Sequence, residues 1–499
     1  MSATTPTTQT PQPSARPGGS RELIALSLPL ILSSSFWTIQ ITVERVFLSW
    51  YDPDAVGAAM VAAMVFWTPM ALLQNTIGYA TTFVAQYLGA NRPERIGPIV
   101  WQGLYLSLGA ALVFGGLMLL GPTLMAWAGH SPRLQALENV YFRYLCYAGL
   151  PLCVVAATNA FFAGRGDSWT VLLVDAFGTL VTTIGCYALI FGKWGLPEWG
   201  IEGAGVAMVL GPSAAAALGL ALFWRPKYRR LFATDQRRFD WLLMRRLLWF
   251  GVPNGLQWAL EGLAFTVFLL ILGRIGDIEL AASSMAFTIN LVAVLPMIGL
   301  GQGVLILVGQ RLGQDQPDLA QRTTWAGFRI AWVYMSAVAL LYFFAPQLFV
   351  ALFEGDTDPD KRAAVAALVP MLLRFVAAYS LFDSLNIIFS FALRGAGDTR
   401  FVSLVALTAG WPLAVLPTYI AWKYQWDLVW PWVFVTVYII AVALILMARF
   451  IQGRWRTMRV IEPSARLPED DPASAGPLAS AGPPASAGPP AAERAAPLP

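Results

Sequence analysis

Cysteine and histidine are nearly missing from this chain of 499 residues, which holds three Cys and one His. Cys146, Cys153 and Cys186 all lie in apolar runs, which excludes a disulfide framework and a Cys-x-x-Cys metal knuckle. His130 alone cannot build a histidine metal site. Charge is scarce too: 12% of residues are charged, where a soluble protein carries about a quarter. No Gly-x-x-x-x-Gly-Lys-Ser/Thr loop is present, so the chain does not bind ATP in the P-loop manner. The net charge is +4, and the basic residues fall in loops rather than in a stripe that could track nucleic acid. The N-terminus lacks the basic start and following apolar stretch of a cleaved signal peptide.

What is present is apolar. Hydrophobic residues make up 57% of the chain, with 20 Trp, 29 Phe and 14 Met, and the mean hydropathy is +0.59. A water-soluble fold of this size could not hide so much apolar surface. The composition therefore predicts an all-α polytopic membrane protein that needs a lipid bilayer.

Residues 1–20 are rich in Thr, Pro and Gln and predict a disordered tail. Residues 453–499 predict a second tail, whose last part repeats Ala-Ser-Ala-Gly-Pro. Between them lie twelve apolar blocks: 23–50, 55–88, 97–128, 139–163, 168–192, 201–224, 247–273, 279–312, 319–348, 364–393, 400–422 and 429–451. Each is long enough to span as a helix, the form in which backbone in lipid satisfies itself. Placing both termini in the cytoplasm puts most loop cations inside, Arg92, Arg95, Arg165, Arg225, Arg394 and Arg400 among them. The acidic loop with Glu354, Asp356 and Asp358 then falls outside. No organellar signal is visible, so a bacterial inner membrane is expected.

The spans divide into an N-lobe (21–224) and a C-lobe (247–452), joined by a basic linker (225–246). The halves repeat. At an offset of 224 positions, Pro29 matches Pro253, Gln86 matches Gln310, Gly89 matches Gly313 and Pro93 matches Pro317. Gly166-Asp167 matches Gly397-Asp398 at an offset of 231. An even number of spans separates the repeats, so the two six-helix lobes form a parallel pseudo-two-fold repeat about the membrane normal.

Few acids lie well inside the blocks: Glu44, Asp175, Glu261 and Asp383. A charge in the membrane is costly, which makes each one a functional candidate. Asn254, Gln257 and Glu261 are spaced three and four apart, so one helix face carries them. Pro253 lies where a kink could turn backbone carbonyls toward that face. Tyr379, Asp383, Asn386 and Ser390 form a second polar stripe. Interhelical glue would need only amides and hydroxyls, so two carboxylates favour a cation or proton site. Gln40 and Glu44 share a face with Trp37 a turn away, and Arg45 follows. Glu44 reads either as a gate acid or, with Arg45, as an interfacial anchor. Asp175 lies near a cytoplasmic end, where packing weighs as much as function. Phe36, Trp37, Trp67, Trp258, Phe265 and Tyr379 could stack on a flat or cationic substrate. The Trp-rich stretch 429–434 fits an interfacial belt.

Several motifs in order resemble the multidrug and toxic compound extrusion (MATE) family. They are Pro253 with Glu261 in span seven, VGQRLGQ (308–314) in span eight, and Asp383 ahead of LRGAGDT (393–399). FFAGRGDS (161–168) is the matching element of the first half, and WGIEGAGVA (199–207) resembles the start of span six. The resemblance covers about residues 23–452. It implies an antiporter that exports drugs or other cationic or amphipathic small molecules while H⁺ or Na⁺ enters, with no cofactor and no metal beyond a transported Na⁺. In the NorM-type branch it implies coupling-ion roles for Glu261 and Asp383, with Asn254, Gln257, Tyr379 and Asn386 in support. The usual acid of span one matches Glu44, and Gln40, Trp37 and Trp258 become candidates for gating or substrate binding. The other branch uses an Asn and an Asp in span five, which match Thr182 and Cys186 here. Coupling is therefore expected in the second lobe of a monomer. Two rivals remain at this stage. A lipid-linked oligosaccharide flippase of the same superfamily predicts a cavity rich in Arg or Lys. A non-transporting receptor or scaffold predicts no ion-dependent flux.

Overall fold

The computed structural model of the protein describes residues 18–127, 129–351 and 359–462. Of the tails expected at 1–20 and 453–499, residues 1–17 and 463–499 lie outside these residues, as does the acidic loop around Glu354, Asp356 and Asp358.

Helix is the only extended secondary structure among the described residues. Twelve helices are long and apolar enough to cross a membrane. In the first half they are span one (Ser20–Tyr51), two (Pro53–Gly89), three (Pro93–Ala126), four (Pro132–Gly164), five (Ser168–Ile190) and six (Ile201–Phe223). In the second they are span seven (Trp241–Ile275), eight (Asp277–Gly313), nine (Pro317–Phe344), ten (Ala363–Ala396), eleven (Thr399–Lys423) and twelve (Val429–Ile451). The order and the twelve-span count agree with the apolar blocks.

Helix starts follow local chemistry. Proline stands at the first position of spans two, three, four and nine, where its missing N–H costs nothing. Asp240 Oδ1 accepts from the backbone N–H groups of Leu242 (2.9 Å) and Leu243 (3.2 Å). That cap starts span seven at Trp241, six residues before the sequence pattern placed it.

The basic linker and the start of the C-terminal tail both pack against the spans. The linker holds a short helix, Pro226–Phe232, and then lies along span three. Trp101 Nε1 donates to the Thr234 carbonyl (2.9 Å), and Gln102 Nε2 to that of Arg238 (3.3 Å). The start of the expected C-terminal tail also docks. Trp455, 1% exposed, stacks on Phe450 at 4.7 Å. The Arg459 guanidinium meets Asp315 at 2.9 Å, and the Val460 N–H donates to Gln86 Oε1 at 2.8 Å. Residues 453–461 thus tie the second half to the first.

Each half has its own apolar packing. Phe83, Phe114, Phe142, Phe161, Phe162 and Phe223 anchor the first. Val308, Ile388, Phe389 and Leu393 anchor one cluster of the second; Phe268, Tyr342, Leu373 and Trp432 anchor another. Trp432 is fully buried, stacked on Phe287 at 4.8 Å with Nε1 donating to Ser283. It is therefore core rather than part of an interfacial belt, whereas Trp430 is 48% exposed.

The halves meet through small residues. Lipid tails are as apolar as Leu, so helices in a membrane associate by close approach rather than by escape from water. Gly251 and Gly255 of span seven lie against Leu72 and Thr76 of span two. Gly299 and Gly303 of span eight lie against Ile31 and Ser27 of span one.

At the end carrying the termini, the repeat motif becomes a two-fold lock. Gln86 Nε2 donates to the Gly395 carbonyl at 3.0 Å, and its counterpart Gln310 donates to the Gly164 carbonyl at 2.9 Å. A methyl group on Gly89 would run into the Gln310 carbonyl, and one on Gly313 into that of Gln86. The turns that follow are twins as well: Asn91 and Asp315 both take left-handed backbone, at φ +54° and +55°. Tyr79 donates to the Arg394 carbonyl (2.7 Å), and Arg311 pairs with Glu22 (2.6 Å), adding further ties at this end. Asn254 Nδ2 to the Asn75 carbonyl (3.0 Å) and the Ser34 hydroxyl to the Leu295 carbonyl (3.4 Å) also join the halves.

Candidate functional site

Two cavities hold nearly all the singled-out residues. The first, 290 Å³, lies inside the second half. Glu261 and Gln257 reach it from span seven, Asn290 from span eight, Tyr379, Asp383 and Asn386 from span ten, and Tyr438 from span twelve. Its apolar wall is Phe265, Phe268 and Phe287. Span eleven closes it with a π-helical turn, Trp411–Val415, containing Pro412. Proline cannot donate to the preceding turn, which accounts for the wider winding where the helix lines the cavity.

Inside, Gln257 Nε2 donates to Glu261 (2.9 Å), Asn386 Nδ2 to Asp383 (3.4 Å) and Asn290 Nδ2 to the Tyr379 hydroxyl (3.4 Å). The oxygens Gln257 Oε1 and Asn290 Oδ1 are buried with no hydrogen-bond partner. Among the described residues, no Lys or Arg lines this cavity. Two carboxylates, a phenol and two amide side chains with orphaned oxygens line it, and Arg394 acts on Glu261 only from outside this lining, an arrangement that accepts a cation. No cluster of three or more His, Cys, Asp or Glu residues suited to a metal ion occurs among the described residues.

The second cavity, 440 Å³, lies between the halves. Ser33, Phe36, Trp37 and Gln40 line it from span one, Trp67 and Asn75 from span two, Asn159 from span four and Asp175 from span five. The second half contributes Asn254, Trp258 and Arg394. Trp37 and Trp67 lie 6.4 Å apart. Asp175 accepts from Asn159 Nδ2 at 2.9 Å and from the Ser33 hydroxyl, so it joins three helices.

The sequence-predicted stripes therefore split. Gln257 and Glu261 face the first cavity, whereas Asn254 turns to the cleft and donates to the Asn75 carbonyl at 3.0 Å. The Pro253 carbonyl accepts from the Ser403 hydroxyl at 2.6 Å. Of the span-ten stripe, Tyr379, Asp383 and Asn386 line the first cavity and Ser390 does not. Glu44 lines neither. It is 3% exposed and takes the Tyr141 hydroxyl, so it is no interfacial anchor. Asp175, read as near an end, stands on the cleft wall.

Three residues were missed. Asn290 was visible as a lone amide in the apolar run of span eight. Tyr438 gave no signal in an aromatic-rich span. Arg394, counted among loop cations, is 5% exposed and lines the cleft.

Twelve spans in two parallel-repeated halves, with one polar cavity inside a half and another between the halves, have the form of a multi-pass membrane transporter. A family model described as MatE matches residues 29–188 and 253–420. The chain belongs to this family, multidrug and toxic compound extrusion, and is of its NorM type. It is 29% identical over 410 residues to a probable multidrug resistance protein NorM of Xanthomonas axonopodis pv. citri, covering 80% of this chain and 87% of that relative. The corresponding protein of Xylella fastidiosa Temecula1 is 27% identical over 434 residues, covering 86% and 91%. Among solved structures, a MOP-superfamily transporter from Pyrococcus furiosus superposes with a TM-score of 0.77 at 18% identity, covering 88% of this chain and 95% of that one. A eukaryotic MATE transporter gives 0.75 at 18% identity, covering 88% and 96%.

Proposed function

We propose that the protein is a cation-coupled antiporter that exports drugs and other cationic or amphipathic small molecules by alternating access. The observation that carries this reading is the cavity in the second half, with Glu261 and Asp383 facing it and no Lys or Arg among its described lining residues. The names of the relatives, multidrug resistance proteins, support the cargo class.

Both termini are placed in the cytoplasm of a bacterial inner membrane. The lock of Gln86 and Gln310 then closes the cytoplasmic end, and the cleft faces outward. A cation from outside enters the C-lobe cavity and binds Glu261 and Asp383. Its charge disfavours a cationic drug nearby, and the drug leaves. Such competition is reciprocal by linkage: bound drug weakens the ion to the same degree. Opening the lock releases the ion inside and admits the next drug.

A proton needs only one of the carboxylates. Sodium needs several oxygens, and the orphaned Gln257 Oε1 and Asn290 Oδ1 supply two more. That observation favours sodium. Both cavities are built by one chain, so a monomer is sufficient.

The test is ethidium efflux from liposomes containing the purified protein, with a sodium gradient and a pH gradient imposed separately. Efflux with sodium alone is expected. Efflux with the pH gradient alone assigns the proton, and efflux with neither refutes ion-coupled drug export.

A further inference from the structure

Span seven is longer than a bilayer requires. Its 35 residues rise about 52 Å at about 1.5 Å each, against a hydrocarbon core of about 30 Å. Centred on that core, the helix overhangs by about 11 Å, or about seven residues, at each end. Arg245 then stands at headgroup level and Trp249 at the edge of the hydrocarbon. Arg245, Trp249, Val252 and Leu256 are spaced four, three and four apart, so they share one helix face, and all are exposed. Span eleven lies alongside, where the Ser403 hydroxyl donates to the Pro253 carbonyl. Its exposed face there carries Arg400 and, one turn on, Leu404. The Arg400 guanidinium carbon lies 3.1 Å from the Trp249 ring centre.

Two cations thus flank one indole at the rim of the membrane. Among the described residues, neither Arg245 nor Arg400 forms an ion pair. Asp398, at the start of span eleven, is held by Arg449 at 2.7 Å and caps no backbone N–H. The positive end of that helix therefore adds to the charge of Arg400. An arginine stacked on a ring keeps its in-plane N–H groups free, and these match the oxygens of a phosphate. Below the cations the surface turns apolar, with Val252 and Leu256 on one helix and Leu404 on the other. Unpaired cations above an exposed apolar strip fit a phosphate that carries acyl chains.

We propose that the groove between spans seven and eleven, at the end carrying the termini, binds an anionic glycerophospholipid. Arg245 and Arg400 hold its phosphate, and an acyl chain runs down the strip of Val252, Leu256 and Leu404. Both spans also wall the C-lobe cavity, one with Gln257 and Glu261, the other with Gly410 and Trp411. The lipid therefore braces the outer side of that wall. The inference needs only that the two spans cross a membrane, and it is independent of the coupling ion and the cargo.

Native mass spectrometry of the full chain tests this. The purified protein is incubated with equimolar phosphatidylglycerol and phosphatidylcholine of the same acyl chains, and the ratio of the two lipids retained is read. The wild type is expected to favour phosphatidylglycerol. Arg245→Gln should lower the ratio about fivefold, and Arg245→Gln/Arg400→Gln about twentyfold or more. Arg245→Gln leaves the stack of Arg400 on Trp249 in place, so it carries the test alone if the double variant does not fold. Lys227→Gln/Arg230→Gln, on the exposed linker helix, should leave the ratio unchanged. An equal loss in that control means attraction by the whole basic face and overturns the site. A wild type without preference, or a ratio unchanged in Arg245→Gln, overturns it too. Displacement of phosphatidylglycerol by glycerol 3-phosphate as readily as by short-chain phosphatidylglycerol assigns the groove to a soluble phosphate and overturns the lipid assignment. Ethidium efflux under a gradient is scored separately, so failure here leaves the antiport reading standing.

Discussion

Gln86 and Gln310 occupy matching positions in the two halves and do the same thing, each bonding a glycine carbonyl of the other half. Trp37 and Glu261 also match, at the same offset of 224 positions, and do different things. One is an indole on the cleft wall; the other is a carboxylate in a cavity of its own half. At the offset of 231, Asp383 and Arg394 match Leu152 and Ala163. The difference follows from location. At the lock, each half is the other's partner, so a change on one side must suit both. Inside a half, side chains meet only their own neighbours and are free to diverge. The repeat is therefore faithful where the halves touch at the terminal end and broken where ions or substrates are expected.

Breaking the asymmetry should have the largest effect. Glu261→Gln or Asp383→Asn is expected to reduce gradient-driven ethidium efflux by about tenfold or more, while Trp37→Phe lowers apparent affinity and keeps the coupling. Initial efflux rates across a substrate series read the two effects apart.

Breaking the symmetry comes next. Gly89→Leu and Gly313→Leu each force a side chain into a backbone carbonyl and should shift the equilibrium toward an open terminal end by roughly 1–3 kcal/mol. The two effects should be alike. Pulsed electron resonance distances between spin labels at the terminal ends of spans two and eight measure them.

A third change tests the tie from residues 453–461. Ending the chain after Gln452 removes the Trp455 stack and the Val460 bond to Gln86, and should cost roughly 1–3 kcal/mol, read as a lower thermal midpoint. Ending it after Glu462 should cost nothing measurable. The smallest effect is expected at Tyr141→Phe. It takes one hydrogen bond from Glu44 and should cost about 1–2 kcal/mol of stability, with coupling unchanged. Lost coupling in that variant would bring Glu44 into the ion path and narrow the difference between the halves.

Much of this was legible in the sequence because lipid enforces it. Spans must be apolar and helical, so twelve blocks gave twelve helices with small errors at their ends. The polar letters of Gln-x-Leu-Gly stood out against that background and marked the lock. Glu261 and Asp383 stood out for the same reason. What remained hidden was which way a helix face turns. Asn254, Gln257 and Glu261 share a face by spacing, yet one helix turn divides the cleft from the C-lobe cavity. Arg394 directly precedes the break at Gly395 and Gly397, so its charge suggested a loop, while the close approach of span two at Tyr79 encloses it. Trp455 and Val460 precede a low-complexity repeat and were read with it.

The central claim is that the cavity of Glu261 and Asp383 holds the coupling cation and that this cation competes with cargo. The most direct measurement is displacement of bound ethidium by sodium from purified protein, in the wild type and in the double variant Glu261→Gln/Asp383→Asn. The account predicts displacement from the wild type and none from the double variant. Equal displacement from both would place the ion elsewhere and contradict it.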